Sequence, residues 1–89
     1  MAKVDSTLAT RETNYGSFAD NAETSHLIQG ILFKDKDKDF SPVQKEALQL
    51  ISIKLARIVN GNPDYADNWH DIAGYAKLAE EELGAERES

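Results

Sequence analysis

The sequence predicts an all-α fold made of three helices. Apolar residues recur at helical spacing in three segments, helix-capping residues stand at the segment ends, and no pair of strands is evident. The chain has 89 residues, enough for one small domain with a thin core. We therefore expect an antiparallel helical hairpin over about 41–59 and 64–83, with a shorter helix over about 18–33 packed across it.

The first helix is predicted to begin near Ser17, because the preceding Gly16 favours a break in regular secondary structure. Residues 1–16 before it are mostly polar, which predicts a flexible arm. The alternating charges of residues 34–39 have no apolar face to bury, so we expect a solvated loop there.

The second helix has the clearest start signal in the chain. Ser41 and Gln44 form a capping-box pattern, with Pro42 at the first helical position. The helix should end near Val59, because Asn-Gly-Asn-Pro follows and provides a left-handed cap and a breaker.

The third helix is predicted from an apolar stripe and a terminal glycine. The stripe is expected to face the core, and Gly84 to end the helix, which leaves 17–84 as the single helical domain and 85–89 as a frayed tail. The stripe consists of Trp69, Ile72, Ala76, Ala79 and Leu83.

Composition excludes several classes of function. Ten basic residues against 16 acidic ones give a net charge of −6, which disfavours polymeric nucleic acid as a partner. Without cysteine, and with two histidines in separate segments, no metal site and no cofactor is expected. No signal peptide or membrane span is evident, so we expect a cytoplasmic protein. The thin core favours a homo-oligomer, most simply a dimer.

The candidate site begins with two cations on the second helix. Helical spacing places Lys54 between Ile51 and Ile58 on the inward side, where a charge needs a partner. Arg57 lies one turn further along and adds a planar fork suited to a carboxylate or phosphate.

On the third helix a polar edge borders the apolar stripe and consists of Asp67, Asn68, Asp71 and Tyr75. In a hairpin, Lys54 or Arg57 is expected to meet Asp67 or Asp71. Two interpretations stay open: an ion pair that fixes helix register, or a small polar pocket.

Three aromatic or basic residues complete the candidates. Trp69 is expected to be a core or interface anchor rather than a stacking platform for a base. Arg11 and Tyr15 are candidates for an arm that folds back onto the hairpin. Gly74, in the middle of a helix, is expected to mark a close helix crossing.

Three segments resemble a family of small bacteriophage and prophage proteins of unknown function. They are the R-x-x-x-Y-G motif that ends at Gly16, SPVQKEALQLISIKLARIVNG, and DNWHDIAGYAKLA; the most specific part is KLARI followed by DNWHDIAGYA. The resemblance spans roughly residues 11–83. It implies a phage origin, location in the host cell cytoplasm and an all-helical domain, without an established activity.

The hairpin is also similar to the MazG-like, all-α nucleotide pyrophosphohydrolases. That resemblance implies a Mg²⁺ site held by E-x-x-E on one helix and E-x-x-D on the next. Here the aligned positions carry Lys54 and Arg57, then Asn68 with Asp71. The metal-binding acids are therefore missing, and we expect no catalytic residues and no enzyme.

The leading hypothesis is a phage accessory protein that binds a host protein or a phage complex through the hairpin and its acidic surface. One alternative is a nucleotide binder, with phosphate held by Lys54 and Arg57, and sugar or base by Asn68 and Tyr75. A second alternative is a residual Mg²⁺-dependent pyrophosphohydrolase. No membrane partner is expected.

Overall fold

In the computed structural model, residues 10, 12–34 and 39–88 are described, and all regular secondary structure in these ranges is helical. The three helices are α1 (Phe18–Phe33), α2 (Pro42–Asn60) and α3 (Ala66–Glu88). This confirms the predicted all-α hairpin with a shorter N-terminal helix. The predicted loop at 34–39 has exposed ends, Lys34 and Asp39, and its residues 35–38 lie outside the described ranges.

The residues predicted to cap the N-termini of α1 and α2 form the expected hydrogen bonds. The backbone N–H of Gln44 donates to Ser41 Oγ at 3.1 Å, and Ser41 N–H donates back to Gln44 Oε1 at 3.0 Å. At α1, Ser17 Oγ accepts from the Asp20 N–H at 3.1 Å. These bonds pair N–H groups that have no partner within the helix.

The end of α2 differs from the prediction in its backbone conformation. Gly61 caps the helix by donating its N–H to Arg57 O at 2.9 Å, but its φ is −116°, so the predicted left-handed cap is wrong. Glycine is required there for space, because a Cβ would lie 2.6 Å from Asn14 O.

Helix α3 continues through Gly84 to Glu88, so the predicted end near Leu83 is wrong. A helical glycine costs only about 1 kcal/mol relative to alanine. Alanine, glutamate and arginine follow Gly84, and these are good helix formers. Ser89, the last residue of the predicted tail, lies outside the described residues.

Helix α2 is the middle of the molecule. It packs against α1 on one side and α3 on the other, so the three helices form one layer. The fully or nearly buried side chains are, apart from Ile58, small or polar: Ser25, Ala47, Ser52, Ala56, Ile58 and Asn68. The Ser25 and Ser52 hydroxyls donate to carbonyls one turn earlier in their own helices. The core between the helices is therefore thin.

Candidate functional site

Lys54 forms the ion pair expected between the long helices. Its Nζ lies 3.0 Å from Asp71 Oδ2, with the Lys54 side chain 13% and the Asp71 side chain 40% exposed. At the other end of the hairpin, Ser41 Oγ donates to Glu82 at 3.2 Å. These two contacts fix the antiparallel register of α2 and α3.

Arg57 makes a different contact from the one predicted on α3. Its guanidinium carbon lies 4.9 Å from the centre of the Tyr15 ring, a cation–π contact. Neither Asp67 nor Asp71 is its ion-pair partner in the described structure. The sequence therefore predicted a partner for Lys54 correctly and missed that of Arg57.

Tyr15 belongs to a segment that docks on the turn between α2 and α3. Residues 12–15 are helical, and the Asn14 carbonyl accepts from the Asn62 N–H at 3.1 Å. The Tyr15 carbonyl accepts from Asn21 Nδ2 at 2.7 Å. Residues 12–16 thus contact the hairpin, as the alternative of a folded-back arm predicts for Tyr15; residues 1–9 and Arg11 lie outside the described residues.

Two glycines allow this docking. Gly16 has φ +84°, and a Cβ on it would lie 2.7 Å from Asn60 Cβ. A Cβ on Gly61 would meet the Asn14 and Tyr15 backbone. The Tyr-Gly and Asn-Gly pairs are the sequence signal that marks this contact.

Tyr65 connects the docked segment to the start of α3. Its ring packs edge-on against Tyr15, with centres 5.3 Å apart. The pKa of Tyr65 is raised to about 12. The largest cause is its hydrogen bond to the Tyr15 side chain, and a hydrogen bond to Asp67 and the negative charge of Asp67 add to it. Asp67 is therefore a neighbour of the tyrosines and is exposed.

The remaining candidates on α3 are Asn68 and Tyr75. Asn68 is fully buried, and neither its Nδ2 nor its Oδ1 has a hydrogen-bond partner among the described residues. Tyr75 lines a groove of about 390 Å³ nearer the other end of the hairpin, together with Val43, Leu50 and Leu78. The predicted polar cluster is thus split among an ion pair, a buried amide and two separate surface depressions.

A cleft of about 480 Å³ lies between the docked segment, α1 and α2. Arg57 and Tyr15 line it, together with Glu12, Gly16, Phe18, Asn21, Ala22, Ser25, His26 and Ile53. Apart from Arg57 and Tyr15, sequence reasoning missed these residues, because the cleft depends on how segments distant in the chain pack.

The opposite face of the layer is apolar. On α2, Lys54 pairs with Asp71, and Ala47 and Leu50 line a groove with Tyr75, so these residues lie towards α3. Asn60 bonds to Asn21 and Thr24, and Lys45 lies over the Phe33 ring, so these two lie towards α1. At 100° per residue, the positions between these two sides, away from the cleft, are Leu48, Leu55 and Val59. Val59 is 73% exposed.

The same construction on the flanking helices extends this face. On α3, the side chains of Asn68, Asp71 and Tyr75 lie towards α2. At 100° per residue, the side of the layer that carries Val59 then also carries four residues of α3: Trp69, Ile72, Ala76 and Leu83.

On α1, Asn21 and Thr24 contact α2 and the cleft is lined by Phe18, Ala22 and His26, which places Ile31 on the side away from the cleft. We call the following set the apolar face: Ile31, Leu48, Ile51, Leu55, Val59, Trp69, Ile72, Ala76 and Leu83.

Of the two roles expected for Trp69, core anchor or interface anchor, the structure excludes the core role. Trp69 is 53% exposed and Leu83 is 42% exposed, and the Trp69 indole donates to Pro63 O at 2.7 Å.

Gly74 also differs from the prediction: a Cβ added there would have no atom within 4 Å, so this glycine does not mark a close crossing.

Neither a metal-ligand cluster nor a membrane-spanning helix is found among the described residues. No three histidine, aspartate or glutamate side chains in these ranges group as metal ligands do. None of the described helices combines the length and the apolar character needed to cross a bilayer.

The sequence matches the model of a known protein family. That family is described as a domain of unknown function, DUF6378, and its model matches residues 1–83. No curated protein matches the chain, and no solved structure matches it.

Proposed function

The chain belongs to the DUF6378 family, whose description assigns no activity, and we propose from its geometry that it is a non-enzymatic binding protein that works as a homodimer. The apolar face of one copy packs on the apolar face of a second. The observation that carries this proposal is the exposure of large apolar side chains on one side of the layer, including Ile31, Val59 and Trp69.

The size of the apolar face suits a stable dimer. Helix α2 has 19 residues, so it is about 28 Å long. Three helices spaced about 9 Å apart give a width of about 27 Å. Each copy then contributes about 750 Å², and two copies bury about 1,500 Å², within the range of specific interfaces.

A second copy is the occupant that the thin core favours. Only Ala47, Ala56 and Ile58 are buried apolar residues in the described structure, so one layer alone removes little apolar area from water. The set that defines the apolar face is uncharged, but Asp20 projects from α1 on the same side as Ile31. The two-fold axis of the proposed dimer must therefore keep the two Asp20 carboxylates apart.

The outer surface of such a dimer supports the second part of the proposal, that it binds a host or phage protein. Among the described residues, the exposed carboxylates are Glu12, Asp20, Glu23, Asp39, Glu46, Asp64, Asp67, Glu80 and Glu81. The exposed lysines there are only Lys34, Lys45 and Lys77. This excess favours a basic partner protein over nucleic acid.

The resemblance to small phage proteins supports a role as a phage accessory protein in the host cell cytoplasm.

The nucleotide-binding alternative now depends on Arg57, since Lys54 is paired with Asp71. The pyrophosphohydrolase alternative is tested by incubating the protein with the four dNTPs and Mg²⁺.

The homodimer is tested by sedimentation of the full chain at about 100 µM. We expect twice the 9.9 kDa chain mass. Val59→Asp places a charge on the apolar face and should yield monomers, because burying an unpaired carboxylate is costly.

Leu78→Asp is the matched control. Leu78 is 59% exposed but lies on the opposite face, in the groove with Tyr75, so this variant should remain dimeric. A monomeric wild-type chain, or equal masses for the two variants, would contradict the proposal.

A further inference from the structure

The cleft beside the docked segment 12–16 has the composition of a small-molecule site. Its volume of about 480 Å³ lies within the range of ligand pockets. It lies on the face opposite the apolar face, so pairing of two copies leaves it open.

Arg57 supplies an available positive charge in this cleft. No carboxylate of the described residues is at ion-pair distance from its guanidinium. The guanidinium carbon lies over the Tyr15 ring, 4.9 Å from its centre. A guanidinium is planar, and its fork of N–H groups matches a carboxylate or phosphate in two parallel hydrogen bonds.

The rest of the cleft favours an apolar body on the ligand. Phe18, Ala22 and Ile53 line it with carbon. Two of its polar groups are already used within the protein: Asn21 bonds to Tyr15 O and Asn60, and Ser25 bonds to Ala22 O. Arg57 is therefore the permanent cation that the cleft offers to an anion, with the His26 imidazole as a further donor on its lining.

We propose that this cleft binds a small organic anion whose carboxylate or phosphate group pairs with Arg57 and whose apolar or aromatic body packs against Phe18, Ala22 and Ile53. The cation–π contact with Tyr15 holds the guanidinium beside the cleft. The docked segment 12–16 forms one wall, so its attachment to the turn at Asn62 shapes the site.

Glu12 provides an internal test of the charge requirement. Its carboxylate lines the same cleft and is exposed, so it repels an anionic ligand without forming an ion pair with Arg57 in this structure. Removing this charge should strengthen binding, whereas removing Arg57 should weaken it.

The experiment is an NMR titration of the full chain at low salt with three probes: phenylacetate, phenyl phosphate and the neutral phenylacetamide. We expect saturable shifts of the Arg57 side-chain N–H and of the Gly16 and Ala22 amides with the two anions. The amide analogue should bind at least about tenfold more weakly. The tighter of the two anions identifies the ligand as a carboxylic acid or a phosphate ester.

Three variants complete the test. Arg57→Gln should weaken anion binding at least about tenfold, and the matched control Lys45→Gln, a cation on α2 outside the cleft, should leave it unchanged. Glu12→Gln should tighten it about two- to fivefold and keeps the proposal testable if Arg57→Gln fails to fold. Equal binding of phenylacetamide, no change in Glu12→Gln, or shifts confined to the apolar face would overturn the proposal. None of these readouts depends on dimerisation.

Discussion

Lys54 and Asp71 are unequal partners in the ion pair between α2 and α3. The Lys54 side chain is 13% exposed and the Asp71 side chain 40% exposed. Water therefore reaches the carboxylate but hardly reaches the ammonium group. Removing either partner leaves the other unpaired, and the cost depends on how well water replaces the lost contact.

We therefore expect Asp71→Asn to cost more stability than Lys54→Met. Asp71→Asn leaves a mostly buried cation and should cost about 1–3 kcal/mol, at the lower end of what breaking buried pairs costs. Lys54→Met keeps the aliphatic stem and leaves a hydrated carboxylate, at about 0–1 kcal/mol. Urea unfolding of both variants and the double variant measures this, and an additive double variant would show that the pair is not coupled.

Asn68 is the second residue whose burial has an energetic consequence. Its amide is fully buried without a hydrogen-bond partner among the described residues, and an unpaired buried polar group costs about 1–3 kcal/mol. Leucine has nearly the same size and no polar atoms.

Asn68→Leu should accordingly raise the free energy of unfolding by about 1 kcal/mol. Asn68→Asp is the contrasting variant: it places a second carboxylate near Asp71 and should lower stability markedly. Thermal and urea unfolding distinguish the two. If the leucine variant were as destabilised as the aspartate variant, the Asn68 amide would have a role in the native state beyond filling space.

At the scale of elements, the docked segment 12–16 depends on backbone approaching backbone. The Asn14 carbonyl bonds to the Asn62 N–H, and Gly16 and Gly61 each lie where a Cβ would come within 3 Å of the other segment. Gly16 is also in the left-handed region, which costs other residues about 1–2 kcal/mol. Both positions therefore need glycine for space, and Gly16 needs it also for its backbone conformation.

Alanine substitutions at three glycines should separate these effects. Gly16→Ala and Gly61→Ala should each destabilise the protein by at least about 1–2 kcal/mol and speed amide exchange at Asn62. Gly74→Ala, in open space on α3, should instead stabilise it by about 0.5–1 kcal/mol. The same sign for all three would show that the docking does not require the glycines.

At the scale of the whole molecule, the three helices form a layer without a second layer to cover it. Globular domains bury the apolar side of each layer against another. We propose that a second copy covers the apolar face, and the stability of the chain should then depend on protein concentration.

We expect the melting temperature to rise with protein concentration, because dissociation into monomers accompanies unfolding. Calorimetry of the wild-type chain over a hundredfold range of concentration measures this. The Val59→Asp variant should melt at a lower temperature that does not change with concentration. A constant melting temperature for the wild-type chain would contradict an obligate dimer.

Local sequence accounts for the three helices and for one tertiary contact. The helices follow from capping signals within a few residues, such as Ser41 and Gln44, and from apolar spacing. The 3.6-residue repeat determines which residues share a helix face. It therefore predicts Lys54 on the inward side of α2 and Asp71 among its possible partners.

Packing between distant segments, in contrast, determines which side of α3 packs on α2 and which contacts the Arg57 and Tyr15 side chains make. A repeat fixes how the Trp69 stripe lies relative to Asn68 and Asp71, but not which of the two sides packs on a neighbouring helix. The polar side faces α2, and the stripe extends the apolar face. The docking of Tyr15 depends on glycines far apart in the chain, whose close approach exists only after the helices have packed.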